Sequence, residues 1–235
     1  MTTTLITGAS KGLGLQTARR LTREGHTVYL GARDARRGAR AARAVGARPL
    51  LLDVADDGCV AAAAEQVRER TGRLDVLVDN AGVAGLVRAA GEVTAADMLA
   101  VYDTNVLGAV RVTQAFLPLL LRSVSPVVVN VSSGLGWLAV AADPSAHASL
   151  VPFWISSLPC NSSEAALNMV TVLYARALPR MRINAVDPGH TATDLNAHTG
   201  ARSVEQGADI IVRMALIGPD GPTGGYYTAD GPMPW

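Results

Sequence analysis

The chain alternates between two hydrophobic rhythms. Short, nearly continuous apolar runs occur at Thr3–Thr7, Thr27–Gly31, Arg48–Leu52, Leu74–Asp79, Pro126–Ser132, Arg182–Val186 and roughly Gly225–Thr228. Runs of this length without polar alternation fit parallel strands covered on both faces. Between them, apolar positions recur at helical spacing, as Leu13, Thr17 and Leu21 do within Gly12–Glu24. Helices are also expected over Asp34–Val45, over Asp56–Thr71 with Asp56 as N-cap, over Ala95–Arg122 and over about Cys160–Leu178. This alternation predicts an α/β fold, a doubly wound parallel sheet of about seven strands with helices on both faces. No repeat or linker interrupts it, so residues 1–235 read as a single domain. The one long stretch without a clear rhythm is Gly134–Pro159, which holds Trp137, Phe153 and Trp154. A loop of that length inside a compact domain is more often functional than accidental.

Composition narrows the partners. Hydrophobic residues make up 49% and charged residues 17%, with a formal net charge of +1. That balance suits a globular core and gives no basic tract for nucleic acid. No apolar stretch is long enough to suggest a membrane span, and no signal segment is apparent, so a cytoplasmic location is the simple expectation. Cys59 and Cys160 are too few for a disulfide framework, and the four histidines show no metal-ligand spacing, so no metal is expected. No Gly-x-Ser-x-Gly elbow marks a serine hydrolase. Lys11 is the only lysine.

The segment Thr7-Gly8-Ala9-Ser10-Lys11-Gly12-Leu13-Gly14 lies between the first strand and the first helix. Glycines there allow a tight turn and let the backbone approach a pyrophosphate, which the helix N-terminus then holds. The second strand ends Gly31-Ala32-Arg33, with no acidic side chain to take a ribose hydroxyl. Arg33 can pair with a 2′-phosphate and Lys11 can add a second charge, so NADPH/NADP+ is expected over the non-phosphorylated cofactor.

The spacing Thr-Gly-x-x-x-Gly-x-Gly resembles the short-chain dehydrogenase/reductase family, and further motifs follow in that family's order. They are Leu52-Asp53-Val54, Asp79-Asn80-Ala81-Gly82, Thr104-Asn105-Val106, Val129-Asn130-Val131-Ser132-Ser133 and Asp187-Pro188-Gly189 with Thr191 to Thr193. The ending, with Gly-Gly-Tyr-Tyr and a terminal Pro-Trp, is similar to the carbonyl-reductase-like branch. The resemblance implies a Rossmann-like fold and an NADP(H)-dependent oxidoreductase. It implies cofactor contacts at Gly8, Ser10, Lys11, Gly12, Leu13, Gly14, Arg33, Asp53, Val54, Asn80, Ala81, Gly82, Pro188, Gly189, Thr191 and Thr193. It also implies Ser133 and Asn105 as members of the catalytic set, Ser133 over Ser132 because Ser133 begins the Ser-x-x-Gly spacing.

At two positions the chain departs from that pattern. Pro159-Cys160-Asn161-Ser162-Ser163-Glu164-Ala165-Ala166-Leu167-Asn168 resembles the family's catalytic helix closely enough to fix the register. Cys160 stands where the family has its proton-donating Tyr, and Glu164 where it has its Lys. A thiol is shorter than a phenol, and a carboxylate four residues on disfavours a thiolate that a cation would favour. Three readings follow. Hydride transfer persists with another donor (Glu164, Cys160, His190 or a water held by Ser133), the pocket performs non-redox acid–base chemistry with Glu164, or the chain is an inactive NADP(H)-binding partner.

The loops 134–159 and 190–201 are expected to flank the nicotinamide end. Trp137, Leu138, Val151, Phe153 and Trp154 would form an apolar wall for a small to medium-sized hydrophobic ketone, enone, imine or polycyclic substrate. The resemblance also allows a homo-oligomer through the two long helices, Ala95–Arg122 and Cys160–Leu178.

Overall fold

The computed structural model describes residues 1–235. Eight strands form one sheet: β1 Thr3–Ile6, β2 Thr27–Ala32, β3 Arg48–Leu51, β4 Val76–Asp79, β5 Val127–Val131, β6 Arg182–Val186, β7 Tyr226–Thr228 and β8 Gly231–Met233. Their order is β3-β2-β1-β4-β5-β6-β7-β8. All neighbours run parallel except β7 and β8, which form an antiparallel hairpin at the edge. The seven expected strands are all present. The eighth, with Pro232 at its centre, lacks the apolar run of a covered strand because it closes an edge.

Eight helices cover the sheet: α1 Gly12–Arg23, α2 Ala35–Val45, α3 Asp57–Thr71, α4 Ala95–Tyr102, α5 Gly108–Leu120, α6 Leu138–Ala142, α7 Leu158–Ala177 and α8 Val204–Ala215. Alternate residues of the strands feed two cores. Ile6, Val28, Leu30, Val76, Val78 and Val129 pack toward one face, while Leu5, Tyr29, Leu77, Val128 and Ile183 pack toward the other. The sheet is therefore buried on both sides, and the unbroken apolar runs follow from that. Caps set the helix starts: Asp34 accepts from the Arg37 amide at 2.8 Å and Asp56 from the Cys59 amide at 2.6 Å.

Three expectations change. The helical region 95–122 is not continuous, because a wide π-type turn, Asp103–Leu107, separates α4 from α5. Gly108 follows it, pressed so close to Val54 that a Cβ would lie 2.8 Å from Val54 Cγ2. Such turns aim a side chain inward, here Asn105, which is buried. The stretch 134–159 is not wholly irregular either. It contains a short 3₁₀ turn, Gly134–Gly136, then α6, and α7 begins at Leu158 with Pro159 in its first turn, where a missing amide costs nothing. Finally, α8 packs on α1 and β5 after the 190s loop. No helix is long and apolar enough to cross a membrane.

Candidate functional site: an acid-lined dinucleotide cleft

The strand order reverses at β1 and β4, which opens a crevice at their C-terminal ends. The glycine turn sits there and is bolted to β4. The Thr7 hydroxyl accepts from the Asn80 and Ala81 amides, each at 2.9 Å, and the Asn80 side chain donates to the Thr7 carbonyl at 2.9 Å. Gly8 has φ +62°, and a Cβ there would fall 2.8 Å from the Ala81 Cα. Gly14 is equally confined, since its Cβ would lie 2.5 Å from Asn80 Nδ2. Helix α1 then opens with no side-chain cap and no acid in its first turn, unlike α2, α3, α4 and α8. Ser10, Lys11, Gly12 and Leu13 thus present backbone amides and a positive helix end to the crevice, as a pyrophosphate requires. The residues fit a dinucleotide.

At the far end, Arg33 is exposed just past β2. Asp34 beside it is turned away. The Arg37 amide and guanidinium hold its carboxylate in the cap of α2 and keep its pKa low. Arg33 therefore has no acid aimed against it. Lys11 Nζ pairs with Asp194 Oδ2 at 2.8 Å, reaching across the cleft mouth to the 190s loop instead of standing beside Arg33. Asp53 closes its own turn, accepting from the Ala55 amide at 3.1 Å, and Val54 is buried behind it.

The opposite wall carries Pro188, Gly189, Thr191 and Thr193. Gly189, at φ +71°, donates its amide to Asp187 Oδ1 at 2.7 Å. Buried Thr191 donates to the Pro188 carbonyl at 3.2 Å, and Thr193 caps the turn Asp194–Asn196 within reach of Gly12. His190 stacks flat on Phe153 at 3.6 Å, and its Nε2 is sealed from solvent without a partner. It clasps the two substrate-side loops together.

Helix α7 forms the remaining wall of the cleft. Cys160 and Glu164 stand one turn apart, and Glu164 lines a cavity of about 20 Å³ with Thr7, Asp79, Gly82, Asn105 and Val131. That volume holds one water. Burial, aided by Asp187, pushes the Glu164 carboxyl up to about 7 against a nearby Ser132 hydroxyl, and its Oε2 has neither solvent nor a hydrogen-bond partner. Burial and then the Glu164 charge push the Cys160 thiol up to about 12. Burial also raises Asp187, and takes Asp79 up to about 8 although Thr113 donates to it at 3.3 Å.

The serine of the Ser132-Ser133 pair that bears on the Glu164 carboxyl is Ser132. Ser132 donates to Asn168 Oδ1 at 2.7 Å and is buried, whereas half-buried Ser133 accepts from the Leu135 amide at 3.2 Å. The Asn105 amide is fully engaged. It accepts from the Val83 amide at 2.9 Å and donates at 3.0 Å to both the Val83 carbonyl and Ser163 Oγ. It clamps α7 to the loop after β4. Sequence reading placed Asp187 only in the Asp187-Pro188-Gly189 motif and gave Tyr226 no site role, yet both meet the Glu164 and Ser132 cluster, from just past β6 and from β7. Nothing local marks Tyr226, because only the sheet order brings it there.

Two members of the expected apolar wall belong to the core. Trp137 is 6% exposed and Val151 7%, packed with Val140, Tyr226 and Met233. They anchor the loop, half-buried Trp154 packs against them, and Leu138, at 75% exposure, and Phe153 are the members left exposed.

Comparison with known proteins agrees with this geometry. A family model described as short chain dehydrogenase matches residues 2–203. The chain is 30% identical to (-)-isopiperitenone reductase of Mentha piperita, with 96% of each covered. It is 32% identical to (+)-neomenthol dehydrogenase of Arabidopsis thaliana, over 91% of this chain and 90% of that one. Salutaridine reductase from Papaver somniferum superposes with a TM-score of 0.84 at 26% identity, covering 97% and 99% of the two chains. NADPH-bound carbonyl reductase from chicken fatty liver shares the fold, with a TM-score of 0.86 at 23% identity over 99% and 98%. With the family model matching most of the chain and these relatives covered over nearly their whole length, the chain belongs to the short-chain dehydrogenase/reductase family and is a nicotinamide-dependent oxidoreductase of that fold.

Proposed function

We propose that the protein is an NADP(H)-dependent oxidoreductase acting on a carbonyl, enone or imine of a medium-sized hydrophobic substrate, with Glu164 in place of the usual proton relay. The nicotinamide, when bound, supplies or accepts the hydride. Gly8 to Gly14 hold the pyrophosphate, Arg33 takes the 2′-phosphate, and Pro188 to Thr193 shape the nicotinamide end. Ser133 positions the reacting group.

The observation that carries this reading is the buried, unpartnered Oε2 of half-buried Glu164 at the cavity, with the carboxyl poised near neutrality. A group with its pKa near the working pH is the best placed to give and regain a proton. Cys160, at about 12, holds its proton too tightly, and His190 is packed against Phe153. The relatives' names, reductases and dehydrogenases of terpenoid and alkaloid type, support a compact apolar substrate.

NADPH absorbance should fall when the protein is offered a panel of hydrophobic ketones, enones and imines. Ser133→Ala is expected to slow that loss at least roughly tenfold. For a substrate that needs a proton, the wild-type rate should fall as pH rises through about 7, because Glu164 donates only while protonated. A product formed with no change in NADPH would place the chemistry outside redox and contradict the proposal.

A further inference from the structure

A reducing site usually surrounds the developing negative charge of a carbonyl oxygen with donors and cations. Around this α7 wall the unpartnered buried atoms are carboxyl oxygens and the Tyr226 hydroxyl, and no side-chain cation stands among them. Glu164 Oε2 is sealed and unpartnered. Asp79, 5% exposed, lines the same cavity with its Oδ1 also unpartnered. Asp187 stands behind Glu164, its Oδ1 already bonded to Gly189. The Ser132 hydroxyl has a single hydrogen, and it goes to Asn168. Asn105 has no free donor. The remaining groups facing Glu164 are the Cys160 thiol on α7 and the Tyr226 phenol on β7. Arg202 packs on Gly189 behind Asp187 and pairs with Asp230, so its charge lies behind the wall.

We propose that the preferred substrate is an iminium cation on a hydrophobic ring skeleton, with the Glu164 carboxylate as its counter-ion. This rests on the oxidoreductase reading above and names its substrate class. The chemistry matches what the site lacks. When hydride adds to the carbon of a C=N⁺ bond, a C–H bond forms and the π pair moves onto nitrogen. The product is a neutral amine, and no proton enters. A ketone treated the same way leaves an alkoxide, which must be protonated by a donor. The first reaction asks no proton of Glu164, which stays ionised as the counter-ion, whereas the second needs Glu164 protonated beforehand. The cation also needs a counter-charge, and a carboxyl shielded from water supplies it more strongly than an exposed one. The apolar surface of Leu138 and Phe153 would cover the ring carbons, and the aromatic face of Phe153 tolerates a nearby positive charge.

Burial has a second consequence. Glu164 is partly protonated near neutral pH, so a bound cation expels its proton, and binding tightens as pH rises through about 7. A neutral ketone shows no such dependence.

The test pairs two probes of the same ring size, N-methyl dihydroisoquinolinium, cationic at every pH, and neutral tetralone. Each is titrated by calorimetry into the protein–NADP+ complex at roughly pH 6 and pH 8.5. The iminium should bind at least roughly tenfold tighter than tetralone at the higher pH. The preference should shrink at the lower pH, with proton release visible as heat that changes with the buffer. Glu164→Gln should erase the preference, and Glu164→Asp, which keeps the charge, should retain it. Steady-state NADPH oxidation should rank the probes in the same order. Equal or tighter binding of tetralone, or a preference that survives Glu164→Gln, would overturn the inference. If tetralone is reduced and the iminium ignored, the substrate class falls and the oxidoreductase reading stands. If NADPH and NADP+ do not bind at all, the oxidoreductase reading itself falls.

Discussion

An Asp79→Asn variant is expected to be more stable than the wild type at neutral and alkaline pH, and equal to it near pH 4. Asp79 ends β4, faces α5 and is buried, with one carboxyl oxygen accepting from Thr113 and the other without a partner. Its register partner on β5 is Asn130, whose Oδ1 also lacks a donor. An ionised carboxylate there would be buried with a single donor, a costly arrangement inside a protein. Burial raises the folded-state pKa from 3.8 to about 8. The sign follows from linkage. Below about pH 4 the carboxyl is neutral in both folded and unfolded chains and costs nothing. Between there and about 8 the unfolded chain ionises and the folded chain does not, so stability falls steadily with rising pH. By pH 7 the loss amounts to at most about 4 kcal/mol. An amide cannot ionise, and its NH₂ can donate to Asn130 Oδ1. Melting at pH 7–8 should therefore rise by roughly 5–12 °C in Asp79→Asn, with no difference near pH 4. A gain that persists at pH 4, or no gain at pH 8, would show that Asp79 is not held neutral.

The second large effect concerns ketone reduction. The double variant Cys160→Tyr/Glu164→Lys should gain roughly 10²–10⁴-fold in kcat/KM for a hydrophobic ketone and lose its preference for the iminium. Cys160 is half-buried at the cleft, so a phenol there extends toward the substrate. A lysine at 164 would meet Asp187, which balances its charge, and would lower the phenol's pKa in turn. Neither change alone should achieve this. The phenol beside Glu164 would be held neutral by a like charge, and the lysine beside Cys160 would have no phenol to activate. The two substitutions are therefore strongly non-additive, and a double-mutant cycle measures that coupling. A folded double variant that binds NADPH and still leaves ketones untouched would show that more than the relay separates this site from a ketone reductase.

Much of the architecture is legible in the chain because the sheet is covered on both faces. Val76-Leu77-Val78 and Val127-Val128-Val129 can only be continuous apolar runs when alternate residues enter two cores. The glycine turn is equally readable, since the close approach of Gly8 to Ala81 leaves no other residue type. The break at Asp103–Leu107 is not readable, because a π-type turn keeps the helical rhythm and shifts it by one residue. Helix α8 escapes notice because Ile210-Ile211-Val212 reads as a strand-like run, although Ser203 and Gln206 form a capping box that marks its start. Trp137 and Val151 look like binding-wall residues by type, and only packing assigns them to the core.

The site divides in the same way. Cys160 and Glu164 are legible from the register of α7, and their position one turn apart in the cleft follows from it. Their protonation is not, because it depends on Ser132, Asp187 and Tyr226, which arrive from three different strands. Lys11 shows the limit of reading charge from sequence. It reaches Asp194, 183 positions away, instead of standing free beside the glycine turn.

The claim beneath all of this is a phosphorylated dinucleotide lying across the crevice between β1 and β4. Titration calorimetry of the wild type and Arg33→Ala with NADPH and with NADH measures it most directly. NADPH should bind the wild type at least roughly tenfold tighter than NADH does, and Arg33→Ala should weaken NADPH alone. No binding heat with either nucleotide, or equal affinity for both in wild type and variant, would contradict the account.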